Sequence, residues 1–290
     1  MATIREKGYA HWDGTLAERR YPWGPITRTG IRLAFRKKMF RFFFAGAFLP
    51  AFLALGGLYI SERLEDFKAL VQSNRALLRI DPKYFAGFMT NTAVLFSLIF
   101  VLVFAASGLI ADDLKHNSLQ LYFSRPIRKK DYILGKMSVV AFFVLILTAV
   151  PYLVLVVFKL IFAGSFQFFL EYPWLPLSVL GYSALLTVFF AFYILLLSAL
   201  SKNTRYVIVL IWGTYLFSDA LSGILFETFR QRAMILFSLR ANLQQAGAFL
   251  FGQKLPHPVP AVWSFAVLAG ICVLAAFVLH RKTRGVEVIK

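Results

Sequence analysis

Apolar runs of roughly twenty residues recur six times in this chain, at about 40–60, 84–110, 137–162, 174–200, 206–226 and 261–279. That length lets a helix cross a bilayer, and in hydrocarbon only a helix or a closed barrel satisfies its own backbone polar groups. A spanning barrel needs segments of about ten residues alternating apolar with polar, which this sequence does not have. The fold class expected is therefore an all-α membrane protein with six transmembrane helices. With 59% hydrophobic and 16% charged residues, the composition excludes an ordinary soluble enzyme.

Six crossings put both termini on one side, and lysine and arginine choose which. Residues 1–41, 111–136, 201–205 and 280–290 carry 22 of them, against 9 in the connections 61–83, 163–173 and 227–260. The positive-inside rule then assigns the termini and the 111–136 loop to the cytoplasm. The net charge of +18 follows from this distribution. It lies between apolar spans rather than on one soluble module, so no nucleic-acid partner is expected. Lys159 falls near the outer end of the third span, where its stem can snorkel.

Domain expectations follow the same pattern. Residues 1–39 form a basic cytoplasmic segment, residues 40–279 the spanning domain, and residues 280–290 a basic tail. No short apolar core with a small-residue cleavage site follows the N-terminal region, which argues against a signal peptide. From Pro25 to Phe40, apolar residues interleave with arginine and lysine, the pattern of an amphipathic helix at the membrane interface. Residues 61–83 read as a short outer helix. Residues 227–260 read as one or two amphipathic or re-entrant helices entering the outer interface. Pro151 predicts a kink in the third span.

Catalytic signatures are missing. Gly135-Lys136 is followed by Met137 and has no upstream glycine at phosphate-loop spacing, so no ATP site is expected in this chain. His11, His116, His257 and His280 are scattered, and the single cysteine, Cys272, lies in an apolar run. Neither a catalytic nor a metal site is expected. Among charged residues within the spans Asp219 is the main one, a candidate for a hydrated substrate route. The competing reading is a carboxylate near the outer end, hydrogen-bonded to neighbours such as Ser218 and Ser222.

The loop Ala111–Lys136 has a mechanical order of residue types. Asp112 and Asp113 stand where a helix start would favour acids. Leu114, Leu119, Leu121, Tyr122 and Phe123 offer an apolar face for a groove on a partner. Ser124-Arg125-Pro126 ends that helix, because a residue before proline is pushed out of the α region. Arg128, Lys129 and Lys130 return the chain to the headgroup layer.

These residues resemble the segment between the second and third spans of ABC-2 type transporter permeases, the membrane subunits of type V ABC exporters. The matching features are Asp112/Asp113, the short helix Leu114–Phe123, Ser124-Arg125-Pro126 and Ile133-Leu134-Gly135-Lys136. The basic segment before the first span, the 227–260 segment and the Arg-Lys-Thr-Arg-Gly-Val-Glu-Val tail resemble the family as well. Asp-Asp and Asn117-Ser118 stand where the family commonly has glutamate and Gly-Thr. The resemblance implies a coupling helix docking on a separate cytoplasmic ABC ATPase. It also implies ATP and Mg held by that partner, and a second permease copy in the bacterial inner membrane among lipids. Asp112, Asp113, Leu114, Leu119, Leu121, Tyr122, Phe123 and Arg125 would make the ATPase contact. Ion-coupled transport, and force transmission to a partner on the outer face, are the competing readings.

Overall fold

The computed structural model describes residues 21–63, 81–123, 127–163 and 166–284. Among these, all regular structure is helical, and six helices are long and apolar enough to cross a membrane. They run Lys38–Ser61, Thr92–Lys115, Lys129–Phe162, Leu175–Leu200, Thr204–Phe229 and Ala261–Lys282.

Chain order begins with α1 (Trp23–Arg36), an amphipathic helix that turns at Lys37 into α2 (Lys38–Gly46) and α3 (Leu49–Arg63) of the first span. Lys37 has extended ψ of 122°, which makes the elbow. A separate helix, α4 (Pro82–Met89), is capped by the Asp81 side chain accepting from the Tyr84 amide, with proline at its first position. The Tyr84 hydroxyl donates to the Ala54 carbonyl at 2.6 Å and fastens α4 to the first span.

Sequence had merged α4 with the second span. Thr90 and Asn91 separate them, and the Asn91 side chain caps α5 (Thr92–Ala106) by accepting from the Ala93 amide. A break at Ser107 leads into α6 (Gly108–Lys115), followed by the short α7 (Ser118–Phe123). The third span is α8 (Lys129–Leu147) and α9 (Ala149–Ala163), broken at Thr148. The predicted kink is there, because Pro151 has no N–H to offer the Leu147 carbonyl four residues earlier.

After α10 (Gln167–Glu171) come two unbroken helices of 26 residues each, α11 (Leu175–Leu200) and α12 (Thr204–Phe229). The 227–260 segment holds a 3₁₀ helix (Arg232–Phe237) and α13 (Leu239–Leu250), and α14 (Ala261–Arg284) completes the bundle. The second and fourth spans are mostly enclosed, whereas the first, fifth and sixth show most of their surface outward. α11 lies at the centre, packed on α8, α14 and α6. Lys159 is buried within the bundle, with its ammonium 5.2 Å from the Phe168 ring.

Candidate functional site at the root of the 111–136 loop

The end of the second span is a junction. At Ser107 the backbone ladder opens and Ser198, from α11, enters it. The Ser198 hydroxyl accepts from the amides of Ile110 (3.0 Å) and Ala111 (3.1 Å) and donates to the Ser107 carbonyl (2.8 Å). The Ala111 amide and Ser107 carbonyl would bond to each other in an uninterrupted helix. The second and fourth spans are thereby joined through backbone.

Asp112 and Asp113 extend the junction to two more spans. The Thr204 hydroxyl, at the start of α12, donates to Asp112 at 2.5 Å. Asp113 accepts from Tyr132 (2.7 Å) and pairs with Lys136 (2.7 Å), both on the first turns of α8. Lys136 and Asp113 side chains are only 9% and 14% exposed. The Lys136 ammonium also lies 5.7 Å from the Tyr122 ring and 5.4 Å from that of Tyr132, and these two rings are 5.2 Å apart. Desolvation of its half-buried hydroxyl, with Asp113 adding to it, raises the Tyr122 pKa above the usual phenol value.

The amphipathic α1 is bolted to the same place. The Thr27 hydroxyl donates to the Gly135 carbonyl at 3.1 Å, and the Lys37 ammonium to the Phe104 carbonyl at 2.9 Å. A Cβ on Gly135 would stand 2.9 Å from Ile26 Cβ and 3.1 Å from the Trp23 carbonyl oxygen. Glycine is required there by this close approach. Opposite the packed face of Ile26 and Ala34, Arg28, Arg32 and Arg36 are exposed.

The two acids do not start a helix, as the sequence suggested. They close the last turn of α6, which ends because Asn117 adopts a left-handed φ of 53° beyond the His116 cap. The helix that follows is correspondingly shorter than expected, Ser118–Phe123. Leu114 is half-buried against the core, and Leu119 is 3% exposed, so Leu119 anchors α7 inward rather than toward a partner. Leu121 and Phe123 lie on α7 with their side chains outside the described set, and Arg125 lies outside the described residues. Sequence reasoning missed Ser198, Thr204, Tyr132 and Lys136 as partners of the acids. The buried lysine after Gly135 was the one available signal.

At the opposite end, Asp219 is engaged by neighbouring side chains. It accepts from the Arg240 Nε at 2.6 Å and from the Ser238 hydroxyl, while Arg240 Nη1 reaches the Thr92 hydroxyl at 3.2 Å. The Ser218 hydroxyl accepts from the Leu239 amide at 3.2 Å. Gln244 donates to the Thr90 carbonyl at 2.9 Å. These bonds tie α13 to the second and fifth spans. Of the two serines offered as its neighbours, Ser218 and Ser222, Ser218 holds the next element's backbone instead. Among the described residues there is no cluster able to hold a metal ion.

Six apolar spans, with a polar junction linking the second to its neighbours, define a multi-pass membrane protein. The family model for ABC-2 family transporter proteins matches residues 35–219, from the end of α1 to Asp219, and the chain belongs to that family. It is a membrane transporter component of a family generally lacking its own ATP site. No curated protein matches the chain.

Proposed function

We propose that this chain is the permease subunit of an ABC exporter in a bacterial inner membrane. Its termini and 111–136 loop face the cytoplasm, with residues 40–279 as the spanning domain. A separate ATPase binds ATP and Mg, and its closure displaces α7. The observation that carries this reading is the junction at Asp112, Asp113 and Ser198. The loop root is bonded to the third, fourth and fifth spans and, through Lys37 and Thr27, neighbours an amphipathic helix, so loop displacement reaches most of the bundle at once. Leu121, Tyr122, Phe123 and Arg125 form the proposed ATPase contact, with Leu114 flanking it and Asp112 and Asp113 orienting its root. Two copies pair through the outward-facing apolar spans, with lipid covering the rest. α1 lies in the headgroup layer, its arginines among anionic lipids.

The test is reconstitution with the ATPase. Leu121→Asp combined with Tyr122→Ala leaves the spans folded and ATP hydrolysis running while transport is lost. Unchanged transport in that double variant would sink the assignment of the contact. The Asp219–Arg240 pair disfavours ion-coupled transport, because the main carboxylate within the spans is already engaged.

A further inference from the structure

Three tyrosines in the outer half of the bundle have no part in the junction described above. Tyr152 on α9, Tyr182 on α11 and Tyr215 on α12 are 1%, 0% and 1% exposed. None of the three hydroxyls has a hydrogen-bond partner among the described residues. Tyr182 lies on α11, which packs against both α9 and α12, and it is close enough to the other two tyrosines to act on them electrostatically. Its ring is roofed by α13, where a Cβ on Gly247 would stand 2.8 Å from it. The charges that act on Tyr215 are Asp219, one helical turn on, and Arg240, and those two are paired with each other.

A phenol both donates and accepts, and leaving one unpaired in a nonpolar interior is costly. Apolar packing alone would be met better by phenylalanine, which this chain uses 32 times. Tyr193, by contrast, is a buried tyrosine in the same bundle whose hydroxyl is satisfied by Thr214 and the Ile211 carbonyl. With the neighbouring charges mutually neutralised, the cluster suits a neutral group rather than an ion.

We propose that Tyr152, Tyr182 and Tyr215 line a polar chamber within each subunit, beneath α13, that holds neutral hydrogen-bonding groups: water, or a hydroxyl or carbonyl of a bound molecule. The chamber stands on these residues alone and does not depend on the ATPase assignment.

Radiolytic hydroxyl footprinting of the full chain in nanodiscs tests it, since tyrosines beside ordered water are modified despite burial. Modification of Tyr182 several-fold faster than Tyr193 supports a chamber occupied by water. If the two rates are equal but native mass spectrometry finds a neutral molecule that Tyr182→Phe abolishes, the chamber is supported with an occupant taken from the cell. Equal rates with no bound molecule overturn the proposal. Tyr182→Phe then raises Tm, because the hydroxyl was unpaired; an occupied chamber leaves Tm unchanged or lowers it.

Discussion

Ser198 and Ser107, on different spans, share one hydrogen bond that takes the place of a rung in the second span's own ladder. Ser198→Ala removes that bond and the two amides Ser198 receives, Ile110 and Ala111. The ladder can reclose in part, so the expected cost is about 1–3 kcal/mol. Thermal unfolding of the purified protein measures it, and an unchanged Tm would show that the joint contributes nothing.

Lys136 and Asp113 make the most enclosed of the ion pairs described here. Lys136→Ala strands a carboxylate and is predicted to cost about 3–5 kcal/mol. Lys136→Met combined with Asp113→Asn removes both charges and recovers much of that. A double-mutant cycle in which the two losses simply add would contradict the pairing.

Gly135→Ala forces a methyl group against the Trp23 carbonyl and Ile26. The expected penalty is about 1–3 kcal/mol, with α1 displaced from α8. Cysteines at Thr27 and Ser138 report that displacement as slower cross-linking; an unchanged rate argues against the close approach.

Asp219→Asn breaks one link between α12 and α13 and leaves the Ser218–Leu239 bond. Its carboxylate is 24% exposed and the Arg240 side chain 32%, so the stability loss is small, about 1 kcal/mol. Transport should survive at a substantial level. Complete loss of transport with normal folding would restore Asp219 to a substrate route.

His257 carries the clearest pH expectation. Desolvation first, and then nearby Arg240, lower its pKa below the ordinary histidine value. The unfolded chain therefore takes up its proton at a higher pH than the native one. Its contribution to stability is full above about pH 6.5 and is lost as pH falls through the depressed native value. Gln245 grips the His257 backbone in both directions, donating to its carbonyl at 3.1 Å and accepting from its amide at 3.1 Å. Hydrogen exchange in residues 253–260 should accelerate on acidification, and His257→Phe should flatten that response.

The six spans were legible because hydrophobic length is a local property. All but the second agree with the sequence bounds to within a few residues, apart from the polar first turns of α8. Pro151 gave the kink for the same reason: one residue removes one donor. The separation of α4 from α5 was hidden by apolar residues on both sides of Thr90-Asn91, and only the asparagine cap marks it. Asp112 and Asp113 were placed on the wrong end of a helix, because an acid pair looks alike at either end until the turn at Asn117 is known. Arg240, as the partner of Asp219, sits 21 residues away on another element. No periodicity within one helix predicts that contact.

Two of the interrupted spans, those broken at Ser107 and Thr148, flank the 111–136 loop, while α11 and α12 beside them run unbroken for 26 residues each. Elastically the bundle is two jointed rods set against two stiff ones, the latter each about 39 Å long. A tug on the loop meets its softest resistance at the joints. The loop-side parts of the second and third spans can therefore tilt while their far parts keep their seats, so that a displacement at one end of the bundle is geared down before it arrives at the other.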